Sequence, residues 1–107
     1  MTPALTPKLA LDYLRELSAD VQDGVVLSAD GTLLAGAEDL AGPARDLLSA
    51  APGAESVEVA VASGTVFAAR SGDHAIALVC GRHALPALAR YDLARVLDDL
   101  AADRDAA

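Results

Sequence analysis

The amino-acid sequence predicts a small α/β sandwich with the element order α-β-β-α-β-β-β-α. Segments at both ends repeat apolar residues at helical spacing, while residues 56–80 alternate with the period of a strand. Residues 75–80 are apolar on both faces, which requires a helical layer on each side of the sheet. A chain of 107 residues suffices for one core. We therefore expect a single domain over residues 1–107, with an ordered core over about 6–102.

Two long amphipathic helices are predicted at the ends of the chain. The first runs from about residue 6 to 22, because Thr6 and Pro7 form a start signal. The last runs from about residue 84 to 102, and residues 103–107 are expected to fray. The apolar stripe of the first helix consists of Ala10, Leu14, Leu17 and Val21. The stripe of the last consists of Ala89, Leu93, Val96, Leu97 and Leu100.

The segment between residues 25 and 51 predicts a β-hairpin followed by a short helix. Residues 25–28 and 33–36 are apolar runs around Asp30-Gly31, a strong hairpin signal. Gly42-Pro43 predicts the start of the second helix, and Pro52 ends it. The apolar positions assigned to this helix are Leu40, Ala44, Leu47, Leu48 and Ala51.

Residues 56–80 predict three consecutive antiparallel strands with turns at Gly64 and at Gly72-Asp73. Small residues on one face of this meander would let one helix approach closely. The residues assigned to that face are Ala60, Ala62, Ala75 and Ala77, against Ile76 and Leu78 on the other.

Charge and composition exclude several classes of function. Sixteen acidic and eight basic residues give a net charge of -8, which repels nucleic acid and anionic membrane surfaces. No apolar run approaches the roughly 20 residues of a membrane span. The single Cys80 cannot form an internal disulfide, and the N-terminus lacks the pattern of a signal peptide. We expect a cytoplasmic protein, from a genome whose arginine and alanine usage suggests a bacterium, with no nucleic-acid partner and no direct membrane insertion.

No residue pattern predicts an active site, a metal site or a cofactor site. His74 and His83 lack metal-ligand spacing, and Cys80 ends an apolar strand as a small core residue does. The serines stand in no nucleophile motif, and no glycine-rich phosphate loop is present. One acidic series, Asp12, Glu16 and Asp20, recurs every four residues on the first helix. It fits either a solvated face or an acidic docking stripe.

Two segments carry a resemblance to a known family. Residues 24–35, Gly-Val-Val-Leu-Ser-Ala-Asp-Gly-Thr-Leu-Leu-Ala, form the hairpin, and residues 89–95, Ala-Arg-Tyr-Asp-Leu-Ala-Arg, open the last helix. With the order of elements, they make almost the whole chain similar to the Roadblock family of dynein light chains and bacterial GTPase regulators. Profilin-like and longin-like domains share parts of this layout. The resemblance implies a five-stranded antiparallel sheet with the first and last helices on one face and the middle helix on the other.

The resemblance also implies a homodimer in which the strand after the middle helix pairs with its copy and the two middle helices meet. Independently, an edge strand without lysine, proline or a bulge exposes backbone groups that self-pairing would satisfy. The strand residues assigned to this interface are Ser56, Val57, Glu58, Val59, Ala60, Val61 and Ala62. The helix residues assigned to it are Ala44, Leu47, Leu48 and Ala51.

For function, the resemblance implies a non-catalytic interaction module that binds a small Ras-like GTPase and regulates or scaffolds it. Bacterial members of the family commonly act beside such GTPases without donating catalytic groups. The alternative is a small-molecule-binding sensor, because α/β sandwiches of this size can enclose a ligand. A neighbouring gene for a P-loop GTPase would favour the first hypothesis, and a large enclosed cavity would favour the second.

Overall fold

Three helices and five strands make up the computed structural model, which describes residues 6–17, 20–52, 55–62, 64–71, 74–82 and 85–106. The helices are α1 (Pro7–Leu17), α2 (Glu38–Ala50) and α3 (Pro86–Ala106). The strands are β1 (Val21–Ser28), β2 (Leu33–Gly36), β3 (Ser56–Val61), β4 (Gly64–Ser71) and β5 (His74–Cys80). This is the predicted order of elements. The predicted turn at Gly72-Asp73 lies outside the described residues, and so does His83.

The strands form one antiparallel sheet in the order β2-β1-β5-β4-β3. The central strand β5 pairs with β1 on one side and β4 on the other, so that Ala77 lies between Val25 and Ala68. The two edges are β2 and β3. The fold class predicted from the sequence is confirmed.

Helices α1 and α3 cover one face of the sheet, and α2 covers the other. Under α1 and α3 lie large side chains of the sheet, including Phe67, Ile76 and Leu78, together with Leu14 and Leu93 of the helices. Under α2 the sheet presents Ala68, Ala75 and Ala77 beside Val25 and Leu27. Because an alanine face lets a helix approach closely, the prediction for Ala75 and Ala77 is confirmed. The same prediction for Ala60 is wrong, because Ala60 lies opposite Thr65 on the side of the sheet that α1 and α3 cover, and Ala62 lies in the turn after β3.

Helix α1 is shorter than predicted. The Thr6 hydroxyl oxygen accepts a hydrogen bond from the Leu9 amide at 3.2 Å, as expected of a helix cap. The helix ends at Leu17, and Val21, predicted on its stripe, instead opens β1 opposite Cys80. Because the backbone of Val21 pairs with β5, Val21 belongs to the strand although its spacing in the sequence fits the helix. Leu17 was also assigned to the buried stripe and is exposed.

Helix α2 begins at Glu38, so the predicted start at Gly42-Pro43 is wrong and Pro43 lies inside the helix. Proline removes one hydrogen bond of the helix and crowds the preceding residue. Gly42 carries no Cβ, which reduces that crowding. Glu38 and Asp39 occupy the first turn, where negative charge interacts favourably with the helix dipole.

Helix α3 begins at Pro86 rather than residue 84 and continues to Ala106, beyond the predicted end at residue 102. The residues expected to fray are therefore helical as far as Ala106. None of the described helices is long and apolar enough to cross a membrane.

The hairpin between β1 and β2 follows the prediction from Asp30-Gly31. Gly31 has a φ of 88°, a conformation that glycine adopts at little cost. The Asp30 carboxylate accepts hydrogen bonds from the Ser28 hydroxyl, from the Thr32 hydroxyl at 2.8 Å and from the Thr32 amide at 3.1 Å. These bonds, that of Ser28 first, lower the pKa of Asp30 from 3.8 to about 2.

Candidate functional site

The free edge of β3 is the first part of the candidate site. The Arg70 amide of β4 donates to the Glu55 carbonyl at 2.9 Å, so Glu55 and Arg70 form a hydrogen-bonded pair of the β3–β4 ladder. In an antiparallel ladder such pairs alternate with pairs whose backbone groups point away from the partner strand. The register of β3 with β4 is regular, so the alternation can be followed along the strand. The residues whose N–H and C=O groups point away from β4 are Ser56, Glu58 and Ala60.

The two faces of β3 differ in chemistry. Val57 lies opposite Ala68, which places the odd-numbered valines on the side of the sheet that α2 covers. Glu58 lies opposite Phe67, on the side of α3. Its carboxylate forms an ion pair with the Arg90 guanidinium of α3 at 2.5 Å. The only acidic residue of β3 is therefore held away from the valine face.

An open groove runs between this valine face and α2, with a volume of about 470 Å³. Val59 and Val61, 40% and 42% exposed, are the large apolar side chains on its strand side. Apolar side chains of α2 form the opposite wall, and among the described residues that line the groove only Asp46 is charged. We call this surface the β3–α2 groove; its apolar lining is Leu40, Pro43, Ala44, Leu47, Val59, Val61 and Val66.

The structure separates the helix residues that the sequence assigned to the interface. Ala44 and Leu48 are 1% and 7% exposed and pack in the core beneath α2. Leu47 is partly buried and lines the groove, and Ala51 follows the helix end. All the assigned strand residues lie on β3 except Ala62, which occupies the turn after it. Leu48 therefore positions the helix, Ala44 packs in the core and also lines the groove, and Leu47 faces the groove.

Three apolar residues of the groove, Leu40, Pro43 and Val66, were not identified from the sequence as interface residues. Leu40 and Pro43 lie one turn apart on α2, and Leu47 follows one turn later. That spacing is a helical stripe, and the sequence prediction left Pro43 off it because Gly42-Pro43 resembles a helix start. Val66 lies on β4 opposite Val59 and became visible only once the strand register was known.

Solved structures show which fold this architecture represents. The structure is similar to the Roadblock/LC7 domain from Streptomyces avermitilis, with a TM-score of 0.76 and 20% sequence identity over 85% of this chain and 91% of that one. The chain has the Roadblock/LC7 fold. Myxococcus xanthus MglB is also similar, with a TM-score of 0.71 and 13% identity over 92% and 94% of the two chains.

Profilins share the layout of this Roadblock fold less closely. Profilin II from Acanthamoeba castellanii gives a TM-score of 0.60 and 14% identity over 89% of this chain and 96% of that one. The sequence itself matches no protein-family model and no curated protein. The common ground with Roadblock/LC7 domains is therefore the arrangement of helices and strands.

A polar cleft lies at the other end of α2 in this Roadblock fold, with a volume of about 240 Å³. Arg45 donates through Nε to the Gly31 carbonyl at 2.7 Å. Arg70 donates to the Leu48 carbonyl at 2.7 Å and so caps the C-terminus of α2. The Nδ1 atom of His74 is buried, and no described residue forms a hydrogen bond with it. Among the described residues, both guanidinium groups of the cleft thus bind backbone carbonyls of this domain itself.

Cys80 is buried in the core between the sheet and the helices α1 and α3. Burial, followed by the charge of Asp20, raises the pKa of its thiol. This makes the reactive thiolate harder to form. Among the residues that the structure describes, no group of His, Cys, Asp and Glu side chains could hold a metal ion.

Proposed function

We propose that this protein is a non-catalytic, homodimeric interaction module of the cytoplasm that binds a small Ras-like GTPase and regulates or scaffolds it. One observation carries the homodimer: the edge strand β3 is open along its backbone and bordered by the apolar β3–α2 groove. The Roadblock/LC7 fold, together with the resemblance in sequence, supports the GTPase as partner.

The backbone of β3 favours self-association. The outward amides and carbonyls of Ser56, Glu58 and Ala60 are positioned for a further strand, and β3 contains no proline or lysine that would block one. A second copy of β3 related by a two-fold axis can satisfy these groups and continue the sheet across the dimer.

The groove supplies the apolar part of the same interface. The valines of β3 extend beyond the part of the sheet that α2 covers, which leaves Val59 and Val61 about 40% exposed. In a two-fold pairing through β3, the copy of α2 approaches Leu40, Pro43 and Leu47. Burial of these side chains would stabilise the dimer by about 25 cal/mol for each Å² of apolar surface removed from water.

A proline substitution tests the pairing strand. Glu58→Pro removes an amide that points away from β4 and leaves the ladder with β4 complete, so the monomer should fold while the dimer is lost. Light scattering coupled to size exclusion should give twice the chain mass of 10.8 kDa for the wild type and a single chain mass for the variant.

Glu58→Thr is the matched control for this experiment. It removes the carboxylate and the ion pair with Arg90 but retains the outward amide. The control should therefore remain dimeric. A monomeric wild-type protein at micromolar concentration, or a dimer that survives Glu58→Pro, would exclude β3 as the pairing edge.

The GTPase partner is tested by a pull-down. The purified dimer is incubated with candidate Ras-like GTPases of the same organism, loaded with GDP or with a non-hydrolysable GTP analogue. Preferential retention of one loaded form would support regulation, and equal retention of both would support scaffolding. Binding of neither form would contradict the proposed partner while leaving the dimer intact.

The polar cleft is the observation that favours the alternative, a small-molecule sensor. Its walls contain Arg45, Arg70 and His74, and a buried nitrogen without a described partner is a polar group that a ligand could satisfy. Against this, both arginines already bind backbone carbonyls. We therefore propose the interaction module, which uses the β3–α2 groove, in preference to the small-molecule sensor.

A further inference from the structure

A second apolar surface lies on the opposite side of the sheet from the β3–α2 groove. Nine large apolar side chains of the described residues are exposed, and six of them lie on α1 or around the start of α3. Their exposed fractions range from 42% to 62%. We call this surface the α1–α3 face; its exposed apolar residues are Leu9, Tyr13, Leu17, Leu85, Leu88 and Tyr91.

The α1 part of this face is a stripe separate from the one that builds the core. Leu9, Tyr13 and Leu17 recur every four residues and so lie one above another along the helix. The buried residues Ala10, Leu11 and Leu14 form the neighbouring stripe. Since that stripe already anchors α1 to the sheet, folding of the domain does not require the exposed one.

A groove of about 170 Å³ connects the two helices. Leu17 from the end of α1 and Leu85 and Leu88 from the start of α3 line it, and buried residues such as Leu78 form its floor. This is room for a few apolar side chains of a bound segment.

Two tyrosines continue the face along the helices. A hydrogen bond with the Tyr91 side chain, then electrostatic interactions with Tyr91 and Tyr13, raise the pKa of the Arg95 guanidinium. Leu17 of α1 and Leu88 of α3 line the same groove. The apolar stripe of α1 and the exposed side chains of α3 belong to one continuous surface.

The charges around this face are mainly negative, although the cationic Arg95 lies beside Tyr91. Both charged residues that line the groove, Asp20 and Asp92, are carboxylates. Asp12 and Glu16 are exposed and, at 100° per residue, follow the apolar stripe of α1 on its side away from the core. The acidic series found in the sequence thus borders an apolar surface.

We propose that the α1–α3 face binds a basic amphipathic segment of a partner protein. Its apolar side chains would enter the groove beside Leu88, and its lysines or arginines would lie against Glu16 and Asp92. A second copy of this chain fits poorly at this face, because a two-fold contact would bring its acidic borders together. This surface is separate from the β3–α2 groove, so the proposal does not depend on the homodimer or on the GTPase.

The probe for this proposal is a synthetic helical peptide of about 18 residues, long enough for a helix to form on binding, with leucines on one face and lysines on the other. The control peptide has the same leucines but carries glutamates instead of the lysines. Fluorescence anisotropy with the full chain should detect binding of the lysine peptide and binding at least about tenfold weaker for the glutamate peptide. Equal binding of the two peptides, or binding of neither, would overturn the proposal.

Two substitutions on the exposed surface locate the site. Leu88→Ser should weaken binding of the lysine peptide at least about tenfold, a loss typical of a central apolar contact. Leu34→Ser removes a comparably exposed leucine on the edge strand β2, which does not line the groove between α1 and α3, and should leave the affinity unchanged. Thermal unfolding of both variants verifies that each is folded. Equal affinities for the two variants would show that the peptide binds elsewhere.

The charged border is tested separately. Combining Glu16→Gln with Asp92→Asn should lower the affinity several-fold and flatten its dependence on salt, because fewer charge pairs are screened. An affinity and a salt slope equal to those of the wild type would contradict the basic partner. If Leu88→Ser instead halves the mass of the protein in solution, a second copy occupies the face and the proposal is wrong.

Discussion

The carboxylate of Glu58 on β3 lies 2.5 Å from the guanidinium of Arg90 on α3. This contact fixes the only acidic side chain of the edge strand on the face that α1 and α3 cover. The opposite face of the strand presents Val57, Val59 and Val61. The edge is therefore apolar on the side where a partner's helix would approach and polar on the side where it would not.

A charge placed on the valine face should weaken dimerisation. Val59→Glu puts a carboxylate into the β3–α2 groove, where burial in a dimer would strip it of water. We expect the dissociation constant of the dimer to rise at least about tenfold. Ala60→Glu is the control, since Ala60 is exposed but lies on the other face. Sedimentation equilibrium measures both, and equal effects would indicate that the groove is not the interface.

Loss of the ion pair alone should have a small effect on folding. Both side chains are exposed, that of Arg90 by 49% and that of Glu58 by 37%. Arg90→Gln should therefore lower the free energy of unfolding by less than about 1 kcal/mol, and by less still at high salt. Urea unfolding at two salt concentrations measures it. A salt-independent loss of several kcal/mol would mean that Arg90 has a packing role that this contact does not describe.

Gly36→Ala should be strongly destabilising. Gly36 has a φ of 103°, and a Cβ there would lie 2.3 Å from the Gly24 carbonyl oxygen. The strained conformation and the clash with backbone should together cost about 2 kcal/mol or more. Gly81→Ala is the control, because its nearest neighbour would be the Gln22 side chain at 3.4 Å, an ordinary contact. Urea unfolding should separate the two, and similar losses would contradict the steric argument.

The Asp30 carboxylate should make stability depend on pH in the acid range. Its folded pKa of about 2 lies below the ordinary 3.8, so its contribution is present above about pH 4 and is lost as the pH falls towards 2. Asp30→Asn removes the charge. The melting temperature of the wild type should exceed that of Asp30→Asn at pH 6, and the gap should shrink below pH 4. A gap that stays constant down to pH 2 would contradict this assignment.

Most of the fold could be read from the sequence because its strands carry strong local signals. Asp30-Gly31 specifies the first hairpin, and the doubly apolar run of β5 requires helices on both faces. The helix ends were harder. Val21 continues the spacing of α1, but its backbone is satisfied by pairing with Cys80 in the sheet. Local periodicity carries no information about such a long-range pairing.

The candidate site was predicted unevenly for a similar reason. The edge strand β3 followed from its alternating valines, and its hydrogen-bond direction needed the register with β4. On α2, an apolar stripe cannot distinguish the residues that pack in the core, such as Ala44 and Leu48, from those that face a partner, such as Leu47. The exposed stripe of α1 was missed likewise, because Leu17 was assigned to the buried side.

The alanines beneath α2 set the height of that helix above the sheet. Ala68, Ala75 and Ala77 occupy the positions where larger residues would push α2 outwards. The depth of the groove beside β3 depends on that height. A substitution such as Ala68→Val would therefore change the shape of the groove, although Ala68 does not line it. A buried substitution could in this way change which partner the groove fits while every exposed residue stays the same.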